Sequence, residues 1–213
     1  MVTPLSDDQV RLGIIEAGRR LYDRGLIVAG QGNISVRTDR GLLVTASGVS
    51  KGALTPRLVL DTDFKGRGSE LAVSSEVQMH VAIYRRRPDV RAIVHAHPPA
   101  ATAFAVTGLV LDAAVLAESV LLLGRVPLVP YAAPSTAALA DTAGEAMVAA
   151  QAALLANHGA VTVGTTLEQA LNRMETLEHL ARVTLFARAL GQPRPLAAAE
   201  VERLLALGST PYR

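Results

Sequence analysis

The chain has 213 residues and a formal net charge of +2; half of it is apolar but only 3% is aromatic, so Ala, Val and Leu must fill the core. It has no cysteine, which excludes disulfides, thiolate metal sites and a cysteine nucleophile and favours a reducing, cytoplasmic setting. No basic-then-apolar leader opens it, and charges interrupt every apolar run before the roughly 20 residues of a membrane span, so no membrane partner is expected.

The first element is a helix over 6–25, opened by a capping box of Ser6 and Gln9 and closed at Gly25. "GNISVRT" (32–38), "GLLVTA" (41–46) and "RLVLDTD" (57–63) are short, β-branched and separated by Gly-rich turns, as in a strand meander. A helix follows over 74–88 and ends at Pro88; then come a buried strand over 90–97 and a helix over 99–106. "RVPLVPY" (125–131) reads as an edge strand because it carries prolines. A helix over 135–150, a hairpin-like pair over 152–159 and 160–164, a long helix over 165–190 and a short one over 197–207 complete the chain. No linker or repeat divides residues 1–213, so one α/β domain is expected, with a mixed, largely antiparallel central sheet between helical layers.

Chemistry concentrates in the histidines. In "IVHAHP" (93–98), His95 and His97 lie two apart at a strand end and project to one face. A third, His158, also ends an apolar strand. Three neutral imidazoles at about 2.0–2.1 Å form a catalytic zinc set that leaves a position open, and such a set also tolerates Mn²⁺ or Co²⁺. His80 lies four residues after Glu76, which suggests an ordinary i,i+4 pair. His179 has no partner spacing and reads as surface or satisfied core. Ser74 and Ser75 fall in the N-cap region of their helix, where a phosphate would lie within a turn of Glu76.

Other patterns are discounted. "GVSKG" (48–52) matches a nucleophile elbow, but Pro56 and strand-like residues follow where a helix is required. Lys51 and Lys65, the only lysines, lie in Gly-rich loops rather than desolvated pockets, which argues against a Schiff base. "YRRRPDVR" (84–91) lacks the interleaved aromatics of a nucleic-acid surface and reads as a solvated helix end.

The ordered set "GQGNISVR", "LVTASGVSKGAL", "SSEVQMHVAIYRRRPDVRAIVHAHPPAATA", "VPYAAPST" and "LLANHGAVTVG" resembles the class II aldolase/adducin superfamily, most nearly its fuculose-1-phosphate aldolase branch. The resemblance implies His95, His97 and His158 as zinc ligands, with Glu76 as a fourth ligand that then serves as base. It implies a substrate-phosphate cradle of Gly32, Asn33, Ser47, Gly48, Ser74 and Ser75, and a ring-shaped homotetramer with active sites between subunits. A tyrosine that donates a proton in the better-known aldolase has no counterpart in 109–123, where Asp112, Glu118 and Ser119 are the protic residues; a second, C-terminal tyrosine corresponds to Tyr212. Glutamate rather than aspartate at 76 favours the aldolase over the epimerase branch.

The implied reaction is reversible cleavage of a ketose 1-phosphate, such as L-fuculose 1-phosphate, to dihydroxyacetone phosphate and a short aldehyde. The alternatives on this scaffold are a sugar-phosphate 4-epimerase, a methylthioribulose-phosphate dehydratase, a keto-acid phosphate decarboxylase and a non-catalytic adducin-like assembly module.

Overall fold

The computed structural model describes residues 6–65, 67–69 and 71–208. The capping box at Ser6 and Gln9 starts α1 (Asp7–Asp23), and Gly25 leaves it with φ +67°. The meander is β1 (Asn33–Arg37), β2 (Leu42–Thr45) and β3 (Val59–Thr62). Next come α2 (Val77–Arg86), β4 (Ala92–Ala96), α3 (Pro99–Thr107), α4 (Ala117–Leu123) and β5 (Leu128–Val129). The chain continues through α5 (Ala137–Ala146), β6 (Ala152–Leu155), β7 (Gly159–Gly164), α6 (Leu167–Leu190) and α7 (Ala198–Gly208).

Among the described residues the strands form one seven-stranded sheet in the order β3-β2-β1-β4-β7-β6-β5. Every pairing is antiparallel except that of β5 with β6. The expected mixed sheet between helical layers is therefore present, with the proline-bearing strand at an edge as anticipated. One helix was not anticipated. α4 follows Leu116, whose side chain supplies no cap, so it carries no start signal a sequence reader could use.

β4 lies at the sheet centre with all five residues buried, because helices cover both faces. Ala92, Val94 and Ala96 pack with the cluster that includes Ile14, Phe104 and Met174 of α1, α3 and α6. Ile93 packs with Met79, Ile83 and Met147 on the α2–α5 side. Strand alternation then sends His95 to the same side as Ile93, towards α2. That parity brings a histidine to the start of the helix that carries Glu76.

The basic cluster is less solvated than its sequence suggests. Arg87 is largely buried, donates to the Met147 and Ala150 carbonyls at 2.9 and 3.1 Å, and pairs with Asp89. It ties the end of α2 to the segment after α5.

Candidate active site

His95 is fully buried in β4, between Asn33 of β1 and Val161 of β7. Its Nδ1 lies 2.9 Å from the Ala160 carbonyl, which can only accept, so Nδ1 donates there and Nε2 is the nitrogen that faces His97 and Glu76. His97 follows just beyond the strand, its amide donating to the Leu26 carbonyl. The chain after it is fixed by Glu178 of α6, which accepts from the Ala100 and Ala101 amides at the start of α3 at 3.0 Å. His158 sits in the three-residue turn between β6 and β7, where Asn157 takes the left-handed conformation at φ +56°. Gly159 is required by proximity: a Cβ there would lie 2.6 Å from the Ala96 carbonyl oxygen and 2.7 Å from the His97 ring.

The three rings stand edge to face with centroids 4.8–5.0 Å apart, and one nitrogen from each lies within 4.8 Å of the others. His97 Nε2 approaches His95 Nε2 at 3.1 Å. Glu76 Oε2 also lies 3.1 Å from His95 Nε2, while Oε1 lies 3.2 Å from His158 Nε2. Imidazole nitrogens and carboxylate oxygens thus converge on one point. A divalent cation satisfies all of them together, and the donor set fits one.

Protonation agrees with this. Burial, then His95 and His158, push His97 down to about 3 against the pull of Glu76. Burial, then His95, push His158 down to about 4, again against Glu76. Both rings are neutral at pH 7 and free to ligate. Burial pushes Glu76 up, but the charge and hydrogen bond of His95, then His158 and His80, outweigh it and hold the carboxyl at about 2.

Three segments meet beside Glu76. Asn33 donates from Nδ2 to Glu76 Oε2 at 3.1 Å, and its Oδ1 is buried without a partner. Gly32 has φ +66°, and a Cβ there would sit 2.7 Å from the His95 carbonyl oxygen. Gly30 packs directly on Gly48. A bridge between Ala46 and Val73, with the Ser47 amide donating to the Ala72 carbonyl, sets Ser47 and Gly48 beside the turn of Ser74 and Ser75. Ser47, Gly48 and Ser75 are exposed, while Ser74 is buried with its Oγ accepting from the Glu76 amide at 3.4 Å.

The structure corrects four expectations. Ser74 and Ser75 precede the helix rather than cap it; the N-cap is Glu76, whose side chain makes no cap and is free to reach the histidines. His80 does not pair with Glu76: its Nδ1 lies 2.7 Å from Ser35 Oγ, which also contacts the buried Tyr84 hydroxyl at 2.9 Å. Lys51 is not solvated, being 2% exposed, and burial pushes it down to about 8. Arg87, as above, is largely withdrawn from solvent. His179 is exposed, as read, and Tyr212 lies outside the described residues.

Residues 13–185 match the model of the Class II Aldolase and Adducin N-terminal domain. The chain belongs to that family. A 5-methylthioribulose-1-phosphate/5-deoxyribulose-1-phosphate aldolase of Rhodospirillum rubrum is 35% identical over 204 residues, covering 95% of this chain and 92% of that one. A 3-oxo-tetronate 4-phosphate decarboxylase of Haemophilus influenzae is 34% identical over 200 residues, 90% of this chain and 93% of its own. A solved L-fuculose 1-phosphate aldolase superposes with a TM-score of 0.89 at 30% identity, covering 97% of this chain and 98% of that one. The chain is an enzyme of the class II aldolase type, a group that acts on sugar phosphates with a metal. No helix among the described residues is long and apolar enough to cross a membrane.

Proposed function

We propose that this enzyme reversibly cleaves a ketose 1-phosphate to dihydroxyacetone phosphate and a short aldehyde. The single observation that carries the reading is the Glu76 carboxylate, held ionised against two of three converging imidazoles. His95, His97 and His158 hold the ion, which we take as zinc. When bound, the ion polarises the ketone and the adjacent hydroxyl of the substrate.

Glu76 is the base. In the direction of synthesis it takes a proton from the carbon bearing that hydroxyl, and in cleavage it returns the proton there; positioned acid–base groups contribute about 10²–10⁴-fold. Asn33 orients the carboxylate from the side through its amide. Gly32, Asn33, Ser47, Gly48, Ser74 and Ser75 receive the phosphate, fixing the distance from it to the reacting carbon. We assign Tyr212 as a proton donor on the resemblance.

Apolar exposed side chains such as Leu109 and Val110 occupy the segment without a tyrosine, which suits an aldehyde ending in a methyl or methylthio group. Exposed Leu122, Leu185, Phe186 and Leu205 supply apolar surface for the proposed cytoplasmic homotetramer. The match to decarboxylases supports a second reading, loss of CO₂ from a keto-acid phosphate through the same site.

The test is deuterium uptake into dihydroxyacetone phosphate in heavy water with the metal-loaded enzyme. Wild type exchanges, and Glu76→Gln loses exchange by about 10²-fold or more while retaining metal. Absence of exchange in wild type, with CO₂ released from 3-oxo-tetronate 4-phosphate, would transfer the assignment to the decarboxylase.

A further inference from the structure

Lys51 opens a short 3₁₀ turn after β2 and is almost completely buried. Its Nζ donates to the Gly30 carbonyl at 3.0 Å and to the Val49 carbonyl at 2.8 Å. Those carbonyls belong to the two turns that carry Gly32 with Asn33 and Ser47 with Gly48, and Gly30 packs on Gly48 between them. An ammonium carries three N–H donors, so one remains after these two bonds.

The surroundings supply no countercharge. Gly18 of α1 packs against the Lys51 backbone and Cβ, and Tyr22 packs on Gly52. Of these only the Tyr22 phenol is ionisable. Among the described residues Lys51 joins no ion pair, and burial alone accounts for its displaced ionisation. Burial of a cation without an anion is costly. It is retained here at the junction of two turns proposed to hold a dianion.

We infer that the Lys51 ammonium is the fixed positive charge of the phosphate cradle, a positioning residue that clasps the Gly30 and Val49 turns and completes its ion balance when the substrate's phosphate binds. The inference rests on the cradle named under the proposed function. Lys51 acts as a cation, not as a Schiff-base amine: no bond to carbon forms.

The test uses inorganic sulfate, a dianion at every pH concerned, titrated calorimetrically into the full-length, metal-loaded protein from pH 6.5 to 9.5. Wild-type affinity stays level up to about pH 8 and then weakens about tenfold per unit, as the ammonium loses its proton. Lys51→Gln keeps an amide donor but no charge; it binds sulfate about tenfold or more weakly at pH 7, without the alkaline limb. Equal affinity in the two proteins, or a shared limb, overturns the inference. So does a level wild-type profile, which decides the matter even if the variant fails to fold. Sulfate binding with this limb in a protein that cleaves no ketose 1-phosphate would keep the cation and remove only the aldolase reading. Cleavage by a protein that binds no sulfate at any pH would do the reverse.

Discussion

His95 stands on a strand paired on both sides, whereas the proposed phosphate cradle draws on turns clasped by one lysine. The ladder sets the position of the imidazole by backbone hydrogen bonds on either flank, and the Ala160 carbonyl receives its Nδ1. Apart from Asn33, which opens β1 opposite His95, the proposed cradle lies outside the ladder, and its turns meet through Gly-on-Gly packing and the Ala46–Val73 bridge. Of the proposed metal ligands, His95 is thus fixed by the sheet centre, with His97 and His158 in the segments that leave it. The proposed phosphate site rests largely on turns, with Ser47, Gly48 and Ser75 exposed.

The largest effect should come from the ladder side. His95→Ala removes one of three imidazoles, and metal content measured by atomic emission should fall from about one ion per chain to near zero. Retention of full metal would break the comparison, because the cradle side would then be holding the ion.

A matched pair sharpens it. Gly159→Ala drives a methyl against the Ala96 carbonyl and the His97 ring, whereas Gly30→Ala meets the Gly48 backbone at 3.1 Å. The first should cost about 1–3 kcal/mol in denaturant unfolding and weaken metal retention. The second should leave metal content unchanged and raise KM for the phosphorylated substrate a few-fold, with the smaller stability loss.

The smallest effect is a pH dependence. Burial, then His95, push His80 down to about 3 against the pull of Glu76. The unfolded chain takes up this proton at about pH 6.5 and the folded ring refuses it, so stability falls as pH drops below 6.5, by about 1.4 kcal/mol per unit at most for this residue. His80→Gln should flatten part of the slope between pH 6.5 and 5 in urea titrations. The fold is then expected to weaken in acid, whereas the proposed sulfate binding at Lys51 is expected to weaken in alkali.

The elements and the histidine triad were legible because they rest on local signals: the capping box at Ser6, the period-two parity of His95 and His97, and Pro88 ending α2. What escaped depends on contacts far apart in the chain. Lys51 lies in a Gly-rich stretch that reads as solvated, and only α1 packing through Gly18 buries it. His80 has Glu76 at helical spacing, but Ser35, 45 residues away, offers a closer partner. Glu178 looks like any surface glutamate of a long helix until α3 places two amides on it.

The position of β4 has a consequence for how the enzyme matures. Its partners are β1, already synthesised, and β7, which begins 63 residues after it ends. A nascent chain that stops short of His158 contains His95 and His97 but lacks the third histidine of the triad and the Ala160 carbonyl that receives Nδ1, and it has one open edge along Ala92–Ala96. Assembly of the complete triad therefore requires a long-range closure of the sheet centre. Metal uptake by a refolding chain is thus expected to report the moment at which β7 docks on β4.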